Sequence, residues 1–298
     1  GTCNEDDAII LAKEVNKNQC GLVVGVGGGV ICDYAKIVAY YAKTPCMNIP
    51  TSSATCACFT PLSVRYTREG TTVGSMHFTE EVNEVLVDTV ILKNQPVRLL
   101  LAGVFDAMAK FIEIKQRFNG TLPIGSFSLG LDYAYMLAKG SYEVLVNNTE
   151  QAIEDMKKEG VSVVLEQIFF TTICVTGVIS GIARGSNQCA IAHKFYETTR
   201  TLFPDKCRNM LHGEIVGVGL LLQNLFNGER ENNTDLVRFM KNNGMPYTPA
   251  LLNIEVTEEI KKAYAEKLIF SSAINDEDKE EVEKYLICQE EFFCGMVE

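Results

Sequence analysis

Gly25-Val-Gly-Gly-Gly29 closes a short β-branched run that begins Gly21-Leu-Val-Val-Gly-Val26, and it precedes a stretch of helical spacing over residues 31–42. A glycine cluster at a strand-to-helix turn restricts the chain to folds whose backbone must come close to a neighbouring element or to a ligand. The same rhythm repeats around it. Residues 6–16 have helical spacing, Pro45-Cys-Met-Asn-Ile-Pro50 is a second extended run, and Val85-Leu-Val-Asp88 is a third. Short apolar runs alternating with helices predict a parallel sheet covered by helices. Two further runs, 62–67 and 72–78, flank Arg68-Glu-Gly70 and predict a hairpin.

After Pro96 the pattern changes. Apolar-periodic stretches run over 97–118, 127–139, 161–183, 213–226 and 257–273, with strand signals nearly absent. The expected architecture is an α/β dinucleotide-binding, Rossmann-like domain over 1–96 and an all-helical domain over 97–298. No internal repeat or low-complexity segment interrupts either part.

Composition excludes several function classes. With 298 residues, 47% hydrophobic and 22% charged, the chain is long enough for a large core and is typical of globular proteins. A formal charge of −11 repels nucleic acid and anionic lipid, so neither is an expected partner. Apolar runs such as 215–222 are too short to span a bilayer. The acidic start, Gly-Thr-Cys-Asn-Glu-Asp-Asp7, is unlike a secretory leader, and the eleven cysteines form no repeated Cys-x-x-Cys array. Reduced, mostly buried thiols in a cytoplasmic protein are the expectation.

The glycine turn suits a phosphate, because glycines admit close approach and a helix start offers amide donors. Its spacing departs from the common dinucleotide fingerprint, whose third glycine would fall on Val30. Read alone, it serves equally as a tight turn without a ligand. Pro50-Thr-Ser-Ser-Ala-Thr55 ends the next strand, where open α/β sheets bind ligands. A turn-capping role for those hydroxyls stands beside that reading.

The chain has three histidines. His77 falls in the hairpin and is expected to be exposed. His193 lies in a helical stretch, and His212 opens an apolar helix, whose positive end favours the neutral imidazole that can bind a metal. Asp106 is the only charge in residues 99–109, with Ala102, Gly103 and Ala109 around it at helical spacing. A buried carboxylate must be paired, hydrogen-bonded or metal-bound. One carboxylate and two imidazoles would leave open positions on a catalytic ion. The alternatives are core histidines held by hydrogen bonds, and an ion pair of Asp106 with a cation such as Arg184.

Taken together, these segments resemble the glycerol dehydrogenase branch of the iron-containing alcohol dehydrogenases. The resemblance is carried by Gly25-Val-Gly-Gly-Gly29 with Asp33 and Lys36, by Pro50-Thr-Ser-Ser-Ala-Thr-Cys-Ala-Cys-Phe-Thr-Pro-Leu-Ser-Val64, and by Val85-Leu-Val-Asp-Thr89. It continues through Pro96-Val-Arg-Leu-Leu-Leu-Ala-Gly-Val-Phe-Asp-Ala107, Gly181-Ile-Ala183, Ala192-His193 and His212-Gly-Glu-Ile-Val-Gly-Val-Gly219, so that it covers about residues 1–228.

The resemblance implies a dehydroquinate synthase-like architecture and an NAD-linked, metal-dependent dehydrogenase, with NADP as an alternative cofactor. Asp106, His193 and His212 fall on the metal positions and act as the catalytic set. Iron-type members carry a further histidine where this chain has Lys110, so the implied metal is Zn2+, with Fe2+ as the alternative. Gly27, Gly28 and Gly29 would meet the pyrophosphate. Asp33, Thr51, Ser52, Thr60, Leu62 and Tyr66 would belong to the cofactor site.

The implied chemistry is Lewis-acid activation of a substrate hydroxyl while hydride passes to the nicotinamide. A small alcohol or polyol is the expected substrate, and a homo-oligomer the expected assembly. Three departures accompany the resemblance. Family members begin with roughly one more βαβ unit, so the α/β domain is expected to lack its first strands. Val30 replaces a residue that is usually polar or basic. Cys56 stands at the substrate-contacting position where glycerol dehydrogenases carry aspartate, which motivates a second reading as a hydroxy-acid or keto-acid reductase. A third is a catalytically silent member with a structural or regulatory role.

Overall fold

Asn4 starts the first helix, α1 (Glu5–Lys17), by accepting the Asp7 N–H at 3.2 Å on its side-chain oxygen. A computed structural model describes residues 3–68, 72–118, 129–183, 189–271 and 273–295. Strands β1 (Val23–Gly27), β2 (Cys46–Pro50) and β5 (Glu84–Val85) form a parallel sheet in the order β1-β2-β5. Val23 to Gly27 lie opposite Cys46 to Pro50, and Met47 lies opposite Glu84. Helix α2 (Gly29–Ala42) lies on β1 where Gly25 has no side chain. A Cβ there would sit 2.5 Å from that of Ala35. On the other side of α2, Ile37, Val38 and Ala42 close on Cys3, Ala8 and Ala12. The strand–helix alternation therefore builds the parallel sheet that the βαβ pattern predicts.

The predicted hairpin is present as β3 (Leu62–Tyr66) against β4 (Thr72–His77), antiparallel, with an irregularity between Arg65 and Tyr66. His77 is exposed, as expected. Glu69 and Gly70 lie outside the described residues. Asp88 then caps the short α3 (Thr89–Lys93) with its carboxylate on the Val90 and Ile91 amides at 2.9 and 3.1 Å.

Among the described residues, everything beyond β5 is helical or loop. Helix α4 (Val97–Phe118) has the predicted span. Helix α5 (Leu129–Asp155) runs far past the expected end at Lys139. Its second half holds weak helix formers, but Ala138, Leu145 and Ala152 are fully buried at seven-residue intervals. That seam outweighs local propensity. Phe127 lies outside the described residues.

The single stretch expected over 161–183 is α6 (Val163–Phe170), a π-helical turn (Thr171–Val175) and α7 (Thr176–Ala183). Thr176 Oγ1 donates to the Thr171 carbonyl at 2.8 Å inside that wider turn. Val163–Ala183 is also the one described run long and apolar enough to cross a membrane. Leu165, Ile168, Phe169, Ile173 and Ile179 on it are buried in the protein, which makes it a core helix.

Among the described residues five more α-helices follow: α8 (Ile191–Leu202), α9 (His212–Asn227), α10 (Asn232–Asn242), α11 (Glu258–Ile269) and α12 (Lys279–Phe293). Phe195 of α8 stacks on Tyr264 of α11 at 5.2 Å and meets Phe292 of α12 edge-on at 5.5 Å. The chain divides into two compact units, Gly1–Val104 with Glu143–Gly181, and Phe105–Tyr142 with Ile182–Glu298. None of the eleven cysteines forms a disulfide, and most are buried, as the absence of a paired array suggests.

Candidate metal centre and glycine turn

Both candidate centres can be traced to places where the sequence uses small residues. In the second unit, Gly219 of α9 faces α8 so closely that a Cβ would lie 2.8 Å from the Ala192 carbonyl oxygen. Gly217, two residues earlier, would press its Cβ to 3.2 Å from the Phe105 ring. Helix α9 thus beds against both α8 and α4, and three polar side chains converge. Asp106 Oδ1 on α4 lies 3.4 Å from Nε2 of His193 on α8 and 3.3 Å from Nε2 of His212, the first residue of α9. All three atoms are mutually within 4.8 Å.

Asp106 and His193 are buried, His212 is partly buried, and Tyr196 meets the His212 ring edge-on at 4.2 Å. Asp106 Oδ1 is buried yet has no hydrogen-bond partner. An orphaned carboxylate oxygen facing two imidazole nitrogens is the donor set of a divalent ion. Atoms bound at ~2.0–2.1 Å to one tetrahedral zinc lie about 3.3 Å apart, which matches both separations. The residues present therefore fit a metal of that kind. Arg184, the ion-pair alternative, lies outside the described residues.

Electrostatics favour a cation at this point. Burial opposes the Asp106 charge, but Lys110, His212 and His193 outweigh it and hold the carboxyl well below its usual range. Burial and the nearby Lys110 oppose imidazolium at His193, while Cys189, Glu113 and Asp106 outweigh them and hold that group well above its ordinary value.

Sequence reasoning missed two residues here. Glu113, seven positions after Asp106 and so on the same face of α4, places Oε2 2.5 Å from His193 Nδ1. Tyr196, three after His193 on α8, supplies the edge contact to His212. In both cases the helical spacing was a readable signal.

In the first unit, α2 starts at the glycine turn with Gly28 as its N-cap and no side-chain cap; the Ile31 and Cys32 amides donate to the Gly28 carbonyl at 3.0 and 3.1 Å, which leaves the amides before them as the ones a helix start can offer. At Gly27 and Gly29 neighbouring side chains already crowd the place of a β-carbon. A Cβ on Gly27 would lie 2.7 Å from Ile31 Cβ, and one on Gly29 2.9 Å from Thr55 Oγ1. Gly28 differs, because a Cβ there would meet only Ser52 Oγ at an ordinary 3.7 Å. Among the described residues nothing requires glycine at 28, so the backbone there is open to close approach by a phosphate. The turn fits a dinucleotide on that ground.

Of the other expected cofactor residues, Thr51 and Ser52 lie beside this turn, the Thr51 amide donating to the Gly27 carbonyl at 2.9 Å. Thr51 and Ser52 follow β2 and are partly exposed. The Ser53 amide donates to Gln95 Oε1 and Gln95 Nε2 to Ser53 Oγ, both at 2.8 Å, which anchors their loop. Asp33 is turned into the protein. Its carboxylate pairs with Lys36 at 2.9 Å and accepts the Val64 amide at 3.1 Å, and its burial raises its pKa despite Lys36. Lys36 Nζ in turn donates to the carbonyls of Ala57 at 2.6 Å, Thr60 at 3.0 Å and Leu62. The pair braces the segment that carries Thr60 and Leu62. Tyr66 packs against the Cys3, Ala8 and Ile37 cluster. Cys56 is buried, and its carbonyl accepts the Phe59 and Thr60 amides at 2.9 and 3.2 Å.

Comparison with known proteins meets this geometry from another side. A sequence model of the family described as iron-containing alcohol dehydrogenase matches residues 1–89. The chain is 31% identical over 272 residues to hydroxycarboxylate dehydrogenase A of Escherichia coli, across 90% of this chain and 73% of that protein. It is 31% identical over 269 residues to the glycerol dehydrogenase of Thermotoga maritima, across 90% and 72%. Among solved structures, a probable glycerol dehydrogenase from Sinorhizobium meliloti shares the fold with a TM-score of 0.80 at 21% identity, covering 99% of this chain and 82% of that one. By that identity and coverage, the chain belongs to the iron-containing alcohol dehydrogenase family and is a metal-dependent, NAD(P)-linked oxidoreductase.

Proposed function

We propose that this protein is an NAD-linked, zinc-dependent dehydrogenase of a small alcohol or polyol, and that Asp106, His193 and His212 hold the metal. The observation that carries the reading is the convergence of Asp106 Oδ1 with the two Nε2 atoms at 3.3–3.4 Å around a buried oxygen that lacks any hydrogen bond. When bound, the ion supplies Lewis-acid polarisation of a hydroxyl or carbonyl oxygen, and the nicotinamide supplies the hydride acceptor. The rest is done by the chain. Burial keeps water from Asp106, Lys110 keeps its carboxylate ionised, and Gly27, Gly28 and Gly29 open the start of α2 to a pyrophosphate. Thr51, Ser52, Thr60, Leu62 and Tyr66 complete the cofactor side, with Asp33 acting through the loop it braces.

Cys56 favours a second reading, in which the substrate is a hydroxy acid or keto acid. A nearly buried thiol offers far weaker acceptance to polyol hydroxyls than a carboxylate would. The relative named hydroxycarboxylate dehydrogenase A, at 31% identity, points the same way.

Metal analysis of the purified protein, followed by NADH absorbance across a panel of polyols and hydroxy acids, tests both. About one zinc per chain, lost in His193→Ala, with turnover of one class, is the expected result. No turnover by metal-loaded protein on either class overturns both readings.

A further inference from the structure

The start of α8 presents backbone N–H groups that its own N-cap residue, Ala190, cannot satisfy with a side chain. Gln223 Oε1 takes the Ile191 amide at 2.8 Å. Glu113, fully buried on α4, takes two more. Its Oε1 accepts the Ala190 amide at 2.7 Å and the His193 amide at 2.8 Å, while its Oε2 lies 2.5 Å from His193 Nδ1. Two backbone donors and one ring nitrogen thus converge on two oxygens of one side chain, and an ionised carboxylate can accept from all three. Among natural side chains of this length only a carboxylate offers that, because glutamine has one acceptor oxygen and a donating amide.

We propose that Glu113 is a positioning residue that fixes His193 as the Nδ1–H tautomer and so aims the Nε2 lone pair at the metal position beside Asp106. The inference rests on the reading of His193 as a metal ligand. One carboxylate locks the ring and the backbone that carries it, so the imidazole can neither flip nor change its protonated nitrogen. A residue that merely capped α8 would leave that choice open.

Glu113→Gln separates the two roles. If its carbonyl oxygen keeps the Ala190 and His193 amides, its NH2 faces Nδ1 and demands the opposite tautomer, with the proton on Nε2. The expected result is a folded protein whose zinc affinity, measured against a chromogenic chelator, falls about 10–100-fold, the range seen when such partners of metal-binding histidines are lost. The cobalt-substituted absorption spectrum should change as well, and Glu113→Asp, which keeps two acceptor oxygens, should recover part of both. Wild-type affinity and spectrum in folded Glu113→Gln overturn the proposal, provided His193→Ala has lost the metal. If His193→Ala binds metal as wild type does, the metal centre itself is overturned.

A measurement on the unaltered protein stands beside the variants. In zinc-loaded protein with 15N-labelled histidine, the His193 proton should reside on Nδ1. A proton on Nε2 overturns the proposal without any variant.

Discussion

The Cα of Gly103 on α4 faces the Ser53 carbonyl so closely that a β-carbon at residue 103 would lie 1.8 Å from that oxygen and 2.9 Å from its carbon. Helix and loop backbone are therefore in direct contact, and Gln95 clasps the same serine through its amide and hydroxyl. Gly103→Ala cannot be absorbed by rotating a side chain, since the obstacle is backbone. It should destabilise the protein by about 3 kcal/mol or more, the upper end of overpacking effects. Denaturant unfolding checks this, and a loss below ~1 kcal/mol would mean that α4 shifts freely.

Gly28→Ala should behave in the opposite way. The added methyl meets only Ser52 Oγ at 3.7 Å, and φ of −77° is open to alanine. Stability should stay within ~0.5 kcal/mol of wild type, as for substitutions that disturb no packing. NADH binding, followed by fluorescence titration, should weaken at least tenfold if the turn receives the pyrophosphate. Unchanged NADH affinity would remove the glycine turn from the cofactor site.

The contrast between these glycines indicates how much was legible in the sequence. The βαβ alternation, the hairpin and α4 could be read from period and punctuation, because each is a local pattern. The length of α5 was not read beyond Lys139, although Ala138, Leu145 and Ala152 are spaced for a buried seam, because weak helix formers between them masked it. At the candidate metal centre, the rarity of histidine and the lone charge of Asp106 singled out three residues. Glu113 escaped since its meaning depends on α8 arriving beside it, and one sequence does not state which helix packs where. Asp33 is the converse case. Its place after the glycines reads as cofactor contact, while the folded chain turns its carboxylate toward Lys36 and Val64.

Asp155, at the end of α5, joins that helix to the start of α6. Hydrogen bonds from Lys158, Ser162 and Gln151, at 2.7, 2.5 and 2.8 Å, lower its pKa from 3.8 to about 2. A lowered folded-state value means the unfolded chain binds the proton more readily. The stabilisation is therefore complete above the ordinary carboxyl value and disappears as pH falls through about 2. Asp155→Asn should lower Tm by a constant amount from neutral pH down to about 5, and the gap to wild type should close between about 4 and 2. A gap that persists undiminished at pH 2 would show that the carboxylate charge is not what joins the two helices.

Gly219→Ala tests the packing that brings Asp106, His193 and His212 together. Its β-carbon would lie 2.8 Å from the Ala192 carbonyl oxygen and 3.0 Å from the Ala192 Cα, both backbone atoms of the residue just before His193. Relief requires α8 to move away from α9, which separates His193 from His212 and draws Nε2 off Asp106. A loss of about 1–3 kcal/mol in stability is expected from the overpacking alone. Zinc affinity should fall as well, and more steeply than in Gly217→Ala, whose β-carbon would meet the side chains of Met240 and Phe105 at 3.1 and 3.2 Å and leave α8 in place. Chelator competition on the two folded variants makes the comparison. Equal zinc affinities would mean that the spacing of α8 and α9 does not set the geometry of the centre.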